Sequence, residues 1–426
     1  MDKPPKSGYL PRFIAASGIT NLADGIAVVV WVWIATLLTR DPFLIALMPV
    51  ALRLPWFLFA LPAGIVTDRI DRRQLILTMD FVRAAAFAVA AIVIWNSTPL
   101  APAGQTGAEL PGLFFTLMGC ALLVGTAEVF RDNAAQTMLP AIVPHDQLER
   151  ANGRLWSVEL VGNALLGPAV GAFLIASAVW LPFALNAAAF ALAALLILGM
   201  KGQYRADCAP QKETQDWRQE LIEGIRFLRD APLLRTLAII TGVWNLLHQM
   251  VVIALVLHVQ ENLGLEATGY GLILAAGALG GIAGGFAAEK IVRFMGQGAA
   301  AQWMTFASAV AFCAIPFAPN GFVLAIILAA FEFTGLIWNT VSVSYRQRFI
   351  PDELLGRVNS VYRLLAWGMM PIGLLLSGII VSIAEPLMTR SLSLTMPFLA
   401  ATFGALLLTA FSWRPLGNGF AAAKHN

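Results

Sequence analysis

Long apolar stretches separated by short polar segments make up nearly the whole chain. Each stretch has the roughly 20 mainly apolar residues that a membrane-spanning helix needs, and none shows the alternating pattern of an outer-membrane barrel strand. Helices satisfy their own backbone hydrogen bonds inside a bilayer, so the pattern predicts an all-α polytopic membrane protein. The predicted spans are 12–39, 43–67, 74–96, 111–136, 152–177, 180–200, 233–261, 268–290, 297–317, 321–346, 355–382 and 392–413.

Basic residues are distributed asymmetrically among the polar segments. Every second segment, counted from the N-terminus, is rich in Lys and Arg, whereas the segments between them offer only Arg40 and Arg390. Positively charged loops stay in the cytoplasm, so both termini are predicted to be cytoplasmic and the protein to lie in the inner membrane. The first apolar stretch is too long for a signal-peptide core and is expected to remain as a span.

Composition supports this interpretation. Of the 426 residues, 58% are hydrophobic and only 12% are charged, which excludes an ordinary soluble domain. The net charge of +3 follows from the basic loops and gives no indication of nucleic-acid binding. Cys120, Cys208 and Cys313 have neither disulfide nor metal-ligand spacing, so we expect no metal and no cofactor.

The two halves of the chain are related. A polar segment, predicted as a cytoplasmic linker over 201–232, separates a six-span bundle at 1–200 from a second one at 233–426. Parallel six-span repeats are typical of transporters that bind substrate near the membrane midplane. The matching motifs are Pro144-x5-Arg150-x-Asn152 with Pro351-x5-Arg357-x-Asn359, and Asp68-Arg69-x-x-Arg72 with Glu289-Lys290-x-x-Arg293.

A charged hairpin lies between the second and third spans. Its pattern Gly64-x-x-x-Asp68-Arg69-x-x-Arg72-Arg73 resembles a signature of the major facilitator superfamily of secondary transporters. The resemblance implies a conformational gate, in which Asp68 pairs across helix ends and the contacts break when the transporter changes state. The alternative is that the arginines only determine membrane topology.

Further motifs narrow the resemblance. They are Asn21-Leu22-Ala23-Asp24, Pro62-Ala63-Gly64, Leu148-x-Arg150-Ala151-Asn152-Gly153, Gly167-Pro168-x-x-Gly171 and Arg357-Val358-Asn359-Ser360-Val361. Together they are similar to the proton-coupled efflux branch that includes macrolide and enterobactin exporters. This implies two pseudo-symmetric six-helix bundles that work by alternating access.

The fifth span resembles, in part, the antiporter signature Gly-x-x-x-Gly-Pro-x-x-Gly-Gly of exporters. Gly167, Pro168 and Gly171 match, whereas Asn163 and Ala172 replace glycines of the pattern. Small residues allow helices to approach closely, and Pro168 removes a backbone donor and bends the span. The signature favours export, and ordinary helix packing is the alternative.

An ionisable side chain inside a span costs about 2.5 to 3.5 kcal/mol on insertion scales, so such a residue is a candidate for a function. Asp24 is the first candidate for proton coupling. It lies near the middle of the first span, on a polar face with Asn21. Burial disfavours the charged carboxylate, so protonation changes which conformation is favoured. The alternative is a structural ion pair with Arg53. Asn21 and Arg53 are also candidates for the substrate cavity.

Glu128 and Arg131 lie one turn apart in the fourth span, and Glu159 is at a comparable depth in the fifth. This arrangement predicts a charge network beneath the cavity, in which Glu128 is a second proton site and Glu159 is a candidate for the substrate cavity. The resemblance implies that Arg131 acts at the gate, in contact with Asp68.

In the second half, Glu332 and His248 are the ionisable side chains near mid-depth. Glu332 is a third proton-coupling candidate, and both side chains are candidates for substrate contact. Trp244 and Trp338 are candidates for lining the cavity. For His248 the alternative is a hydrogen-bonded packing residue.

The predicted function is export of a small, partly apolar compound, such as a drug, toxin or siderophore, by proton antiport. The expected partners are this substrate, protons and membrane lipid, and we expect a monomer. The alternatives are a small-solute uptake symporter or facilitator, or a non-transporting receptor or scaffold. A membrane enzyme is not expected, since nucleophile, zinc and nucleotide motifs are absent from the sequence.

Overall fold

The computed structural model describes residues 7–144, 147–202, 204 and 217–423. Twelve helices in this part of the chain are long and apolar enough to cross a membrane, and no strand occurs among the described residues. The predicted all-α protein with twelve spans is therefore confirmed. Cys208 and the other linker residues at 203 and 205–216 lie outside the described residues, so the predicted domain boundaries stay predictions.

The chain divides into two compact units. The first comprises Met1–Cys208 and Glu266–Ala275, and the second comprises Ala209–Leu265 and Ala276–Asn426. Six of the twelve spans lie in the first unit, and the fifth of these contains a π-helical segment. The elements of the first unit are α1 (Leu10–Leu38), α2 (Pro42–Arg69), α3 (Arg72–Asn96), α4 (Pro111–Met138), α5 (Leu148–Glu159), the π segment (Leu160–Leu166), α6 (Gly167–Ser177) and α7 (Leu181–Leu198).

The second unit begins with a short helix and continues through long spans. Its helices are α8 (Trp217–Asp230), α9 (Pro232–Leu257), α10 (Ala267–Met295, counted with the first unit up to Ala275), α11 (Gln297–Ala314), α12 (Gly321–Phe349), α13 (Asp352–Ala384), α14 (Arg390–Ser393) and α15 (Met396–Ala422). The end of α9 continues as π helix over His258–Asn262.

Helix boundaries follow from local sequence signals. The Asp41 carboxylate accepts a hydrogen bond from the Phe43 backbone N–H (2.9 Å) at the start of α2. Asn320 caps α12 in the same way, through the Val323 N–H at 3.0 Å. These side chains satisfy backbone donors that the first helical turn leaves without partners. The spans therefore begin where polar capping residues meet apolar sequence.

Each unit has its own apolar core, and α1 is buried along most of its length. This position places the middle of α1, including Asp24, among the other helices of the first unit. Buried residues of the two cores include Phe13, Leu75, Ile76, Met138, Ile142 and Ile197 in the first unit, and Leu234, Leu237, Val341, Tyr345 and Tyr362 in the second.

Candidate ion-coupling site

Asp24 of α1 forms an ion pair with Arg83 of α3. The Arg83 side chain is fully buried, whereas 18% of the Asp24 side chain is exposed. Behind the pair, the Arg83 guanidinium carbon lies 3.9 Å from the centre of the Phe190 ring of α7, and Phe190 stacks on Phe87 at 5.5 Å. The charge of Arg83 is therefore enclosed by aromatic rings and balanced by Asp24.

The backbone of α1 is held in place on both sides of Asp24. The Asn186 side chain of α7 donates a hydrogen bond to the Ala23 carbonyl at 2.9 Å. On the other side, Gly25 lies against the backbone of Gly162 and Asn163 in the π segment, so closely that a Cβ on Gly25 would be 2.7 Å from the Gly162 carbonyl oxygen. The carboxylate thus projects from a fixed point of the helix.

The antiporter-like residues of the fifth span pack on this same part of α1. Gly167, at the start of α6, contacts Gly25, and a Cβ on Gly171 would lie 2.9 Å from the Ile26 carbonyl oxygen. Pro168 is the second residue of α6, which begins directly after the π segment. Because only small residues allow this backbone approach, the segment positions the helix that carries Asp24.

A second ion pair joins α3 and α4. The Arg131 Nε lies 3.5 Å from the Asp80 Oδ1, and the Arg131 Nη1 donates to the Asp132 Oδ1 at 3.3 Å. Asp80 is fully buried, yet neither of its carboxylate oxygens accepts a hydrogen bond from a described residue. A carboxylate in this setting depends for its stability on the neighbouring guanidinium charge.

Glu128 interacts electrostatically with the arginines of both pairs. Its carboxylate interacts electrostatically with Arg53 of α2 and Arg83 of α3, and it contacts Trp56. The exposed Glu159 interacts electrostatically with Arg131 and Asp132. The charge network predicted for Glu128, Arg131 and Glu159 is present in the first unit.

We call the full set the charge cluster. It contains five carboxylates and three guanidinium groups, so two negative charges lack a basic partner when every member is ionised. Glu159 is exposed, so one unbalanced negative charge remains among the other members. A membrane interior disfavours this charge, and the cluster can bind a proton. Its members are Asp24, Arg53, Asp80, Arg83, Glu128, Arg131, Asp132 and Glu159.

One expectation about the first unit needs correction. Asp24 pairs with Arg83 and not with Arg53, because α3 presents Arg83 to α1. Asn21 donates to the Ser17 carbonyl of its own helix at 2.8 Å, and its place in the substrate cavity stays a prediction. Asp80 and Arg83 were missed from sequence, although two ionisable residues one turn apart inside the third span were a usable signal.

The second unit brings His248 of α9 and Glu332 of α12 together, with 3.3 Å between the His248 Nε2 and the Glu332 Oε1. Trp244 stacks on the His248 ring with a centroid distance of 4.9 Å. Trp338 lies elsewhere, in the apolar core, with 5% of its surface exposed. Three of the four candidates from the second half therefore share one site.

The charged hairpin is tied to the end of α7. Arg73 donates to the Ile197 carbonyl at 3.2 Å and to the Leu198 carbonyl at 2.8 Å, both in the last turn of α7. The Ile197 carbonyl also accepts from the Met200 N–H at 3.0 Å. Asp71 caps α3 and accepts a hydrogen bond from the Tyr204 N–H at 2.6 Å. Burial raises the pKa of the Tyr204 phenol. The hydrogen bonds from Arg73 to the end of α7 are a structural contact that its sequence motif did not indicate.

The other residues predicted for the gate are Gly64, Arg69, Arg72 and Asp68. Gly64 has no atom within 4 Å of a Cβ built on it, and Arg69 is exposed at the end of α2. Arg72 donates its backbone N–H to the Tyr204 carbonyl at 3.4 Å. The Asp68 side chain lies outside the described residues, so its pairing with Arg131 stays a prediction. Within the described part, no group of His, Cys, Asp and Glu is arranged to hold a metal ion.

Comparisons with known proteins agree with the sequence motifs. Residues 13–374 match the family model described as Major Facilitator Superfamily. The multidrug efflux pump Tap of Mycolicibacterium fortuitum is 26% identical over 415 residues, which cover 95% of this chain and 96% of that protein. The enterobactin exporter EntS of Shigella boydii serotype 4 (strain Sb227) is 23% identical over 356 residues, with coverage of 83% and 79%.

Solved structures show the same fold. A bacterial homologue of the human lysosomal transporter Spinster, inward-facing and unoccupied, has a TM-score of 0.74 at 15% identity and covers 99% of both chains. A bacterial homologue of the iron transporter ferroportin, inward-facing, has a TM-score of 0.73 at 15% identity and covers 96% of this chain and 98% of its own. The predicted fold is confirmed.

Proposed function

Because the chain belongs to the major facilitator superfamily, we propose that it is a secondary transporter that exports a small, partly apolar compound in exchange for protons, by alternating access. The relatives named as a multidrug efflux pump and an enterobactin exporter support the direction of transport. They also favour a drug, toxin or siderophore as the class of substrate.

The observation that carries the proton-antiport proposal is the excess of carboxylates in the charge cluster. A carboxylate whose negative charge is not compensated inside a membrane protein favours proton uptake when its site is closed to water. A proton shifts the equilibrium between two conformations only through its different affinity for them. Proton uptake in one state and release in the other therefore provides the coupling.

Asp24 and Glu128 have different roles in this proposal. Protonation of Asp24 removes the ion-pair partner of the enclosed Arg83, so it requires the pair to open or Glu128 to replace Asp24. Glu128 already interacts electrostatically with Arg83. We assign Glu128 as the group that binds and releases the proton, a step in which Asp24 and Arg83 remain paired. The Asp24–Arg83 pair opens in a separate step, the conformational change.

The direct test uses purified protein in proteoliposomes with an imposed pH gradient, with ethidium and enterobactin as probes. Antiport predicts that at least one probe moves against its gradient while protons move in the opposite direction. Proton movement in the same direction as the probe would show a symporter, and probe flux without proton movement a facilitator. No flux of either probe would contradict the transport proposal as stated.

Glu128→Gln is expected to abolish gradient-driven transport, because the amide cannot exchange a proton. Exchange of labelled for unlabelled probe, which needs no net proton movement, is expected to persist. The matched control is Glu109→Gln, since Glu109 is an exposed glutamate outside the spans. Equal loss of both activities in Glu128→Gln would argue against a proton-specific role.

Asp68→Asn is expected to slow transport strongly while substrate affinity stays within a few-fold of wild type. Asp68 lies in the last turn of α2, far along the helix from its middle, so it acts on conformational exchange and not on substrate contact. Turnover in proteoliposomes and probe binding in detergent measure the two effects. Normal turnover would remove the hairpin carboxylate from the mechanism.

We place the protein in the inner membrane with both termini in the cytoplasm. Arg69, Arg72 and Arg73 lie at the α2–α3 junction, whereas the α1–α2 junction offers only Arg40. This difference supports the orientation. Labelling of single cysteines introduced at Arg40 and Arg69 in intact cells tests it, and only the cysteine at 40 is expected to react with an impermeant reagent.

A further inference from the structure

Three near-parallel rings pack together in the second unit, and one of them, His248, lies beside a carboxylate. Trp244 and His248, one turn apart on α9, stack with an interplanar angle of 8°. Phe331 of α12 lies 5.6 Å from Trp244 and 5.4 Å from His248. The next residue on α12, Glu332, places its Oε1 3.3 Å from the His248 Nε2. We call Trp244, His248, Phe331 and Glu332 the aromatic site.

The aromatic site is built rigidly at its back. Phe331 is fully buried and packs on Phe312 of α11 at 4.9 Å. The Trp244 indole N–H donates to the Ser308 hydroxyl at 3.2 Å, and its ring passes over Gly335, where a Cβ would lie 3.4 Å from it. The rings therefore hold their positions without a ligand.

The front of the aromatic site is accessible. The His248 side chain is 21% exposed and the Glu332 side chain is 27% exposed, although both lie near the middle of helices that are long and apolar enough to span the membrane. A ligand can thus reach the Glu332 carboxylate together with His248 and the half-buried Trp244, whereas Phe331 supports them from behind.

On α9, α11 and α12, and on α10 after Ala276, no described Lys or Arg lies close to Glu332 along its helix. Helix α11 carries no Lys or Arg, the nearest arginine on α12 is Arg346 and the nearest on α9 is Arg235, each about 20 Å away along its helix at 1.5 Å rise per residue. On α10 the first charged residue after Ala276 is Glu289. Among the described residues, the partner seen for Glu332 is His248, which is neutral unless protonated.

We propose that the aromatic site binds an organic cation, so that this transporter accepts lipophilic ammonium or phosphonium compounds. The carboxylate attracts the positive charge, and the aromatic faces bind its apolar groups and interact with the cation through their π systems. An anion would be repelled by Glu332, and an uncharged compound would gain nothing from it. Transport of the bound cation rests on the proposed export function, whereas its binding does not depend on transport.

The test is equilibrium binding of radiolabelled tetraphenylphosphonium to the purified full-length protein in detergent. Saturable binding is expected, together with little binding of the uncharged triphenylphosphine oxide. Glu332→Gln and Trp244→Leu are each expected to weaken the affinity by about tenfold. Glu289→Gln is the matched control, since Glu289 is 83% exposed and pairs with Arg293 at the end of α10, and it should bind as wild type does.

Several outcomes would overturn the proposal. They are the absence of saturable binding to wild type, equal binding of the uncharged analogue, and wild-type affinity in a folded Glu332→Gln variant. Thermal unfolding of each variant checks that it is folded, and Trp244→Leu tests the site independently if Glu332→Gln is unstable. Saturable binding without transport in proteoliposomes would contradict the proposed export while the cation site stands.

Discussion

Asp24→Asn is expected to abolish accumulation driven by a pH gradient. The amide removes the negative charge that balances the fully buried Arg83, and breaking a buried ion pair by removing one partner costs about 3 to 5 kcal/mol. The variant should therefore be less stable than wild type as well as uncoupled. Uptake of probe into proteoliposomes under an imposed pH gradient measures the coupling, and thermal unfolding in detergent measures the stability.

A double variant separates these two effects. Asp24→Asn combined with Arg83→Gln removes both charges, so no buried charge is left without its partner. If the carboxylate takes part in coupling, stability should return while gradient-driven transport stays absent. Recovery of both would show that the Asp24–Arg83 pair is structural, and would leave Glu128 and Glu332 as the carboxylates that can couple transport to protons. Wild-type pumping by Asp24→Asn alone would exclude Asp24 from the mechanism.

Gly25→Ala is expected to destabilise the first unit by about 3 kcal/mol, because overpacking against backbone atoms cannot be relieved by rotating a side chain. A Cβ on Gly25 would lie 2.7 Å from the Gly162 carbonyl oxygen and 2.8 Å from the Asn163 Cα. The new methyl group would push α1 away from the π segment and displace Asp24. Thermal unfolding in detergent and the monodisperse fraction after purification measure the effect.

Gly119→Ala is the matched control for this variant. Gly119 also lies inside a membrane-spanning helix, α4, but no atom lies within 4 Å of a Cβ built there. Alanine favours a helix over glycine by about 1 kcal/mol, so this variant should be as stable as wild type or slightly more so. Equal stability of Gly25→Ala and Gly119→Ala would show that the contact with the π segment is less close than the structure indicates.

Much of the site was accessible from sequence. Asp24, Glu128 and Glu332 were identified as ionisable residues inside apolar spans, and the structure places each of them in an electrostatic cluster or pair. The antiporter-like residues were identified by their resemblance to exporters. Their contact with α1 beside Asp24 gives that motif a physical role that its sequence alone did not show.

Other assignments could not be made from sequence. Arg53 and Arg83 are both arginines inside apolar spans, and only the packing of α1 against α3 gives Asp24 its actual partner. Arg73 was assigned to a gate, but its guanidinium caps the last carbonyls of α7, which are more than 100 residues away in sequence. Trp338 resembled a cavity residue, yet it packs in the core of its unit.

The sequence by itself determined the twelve spans and the membrane class, because the transfer of apolar residues into a bilayer depends on local composition and is nearly independent of neighbouring helices. Only the tertiary structure decided which charges meet. The depth of a residue follows from its position along a helix, but its neighbours depend on the rotation of that helix and on the close glycine contacts that set helix separation. The pairs Asp24–Arg83 and His248–Glu332 are products of that packing.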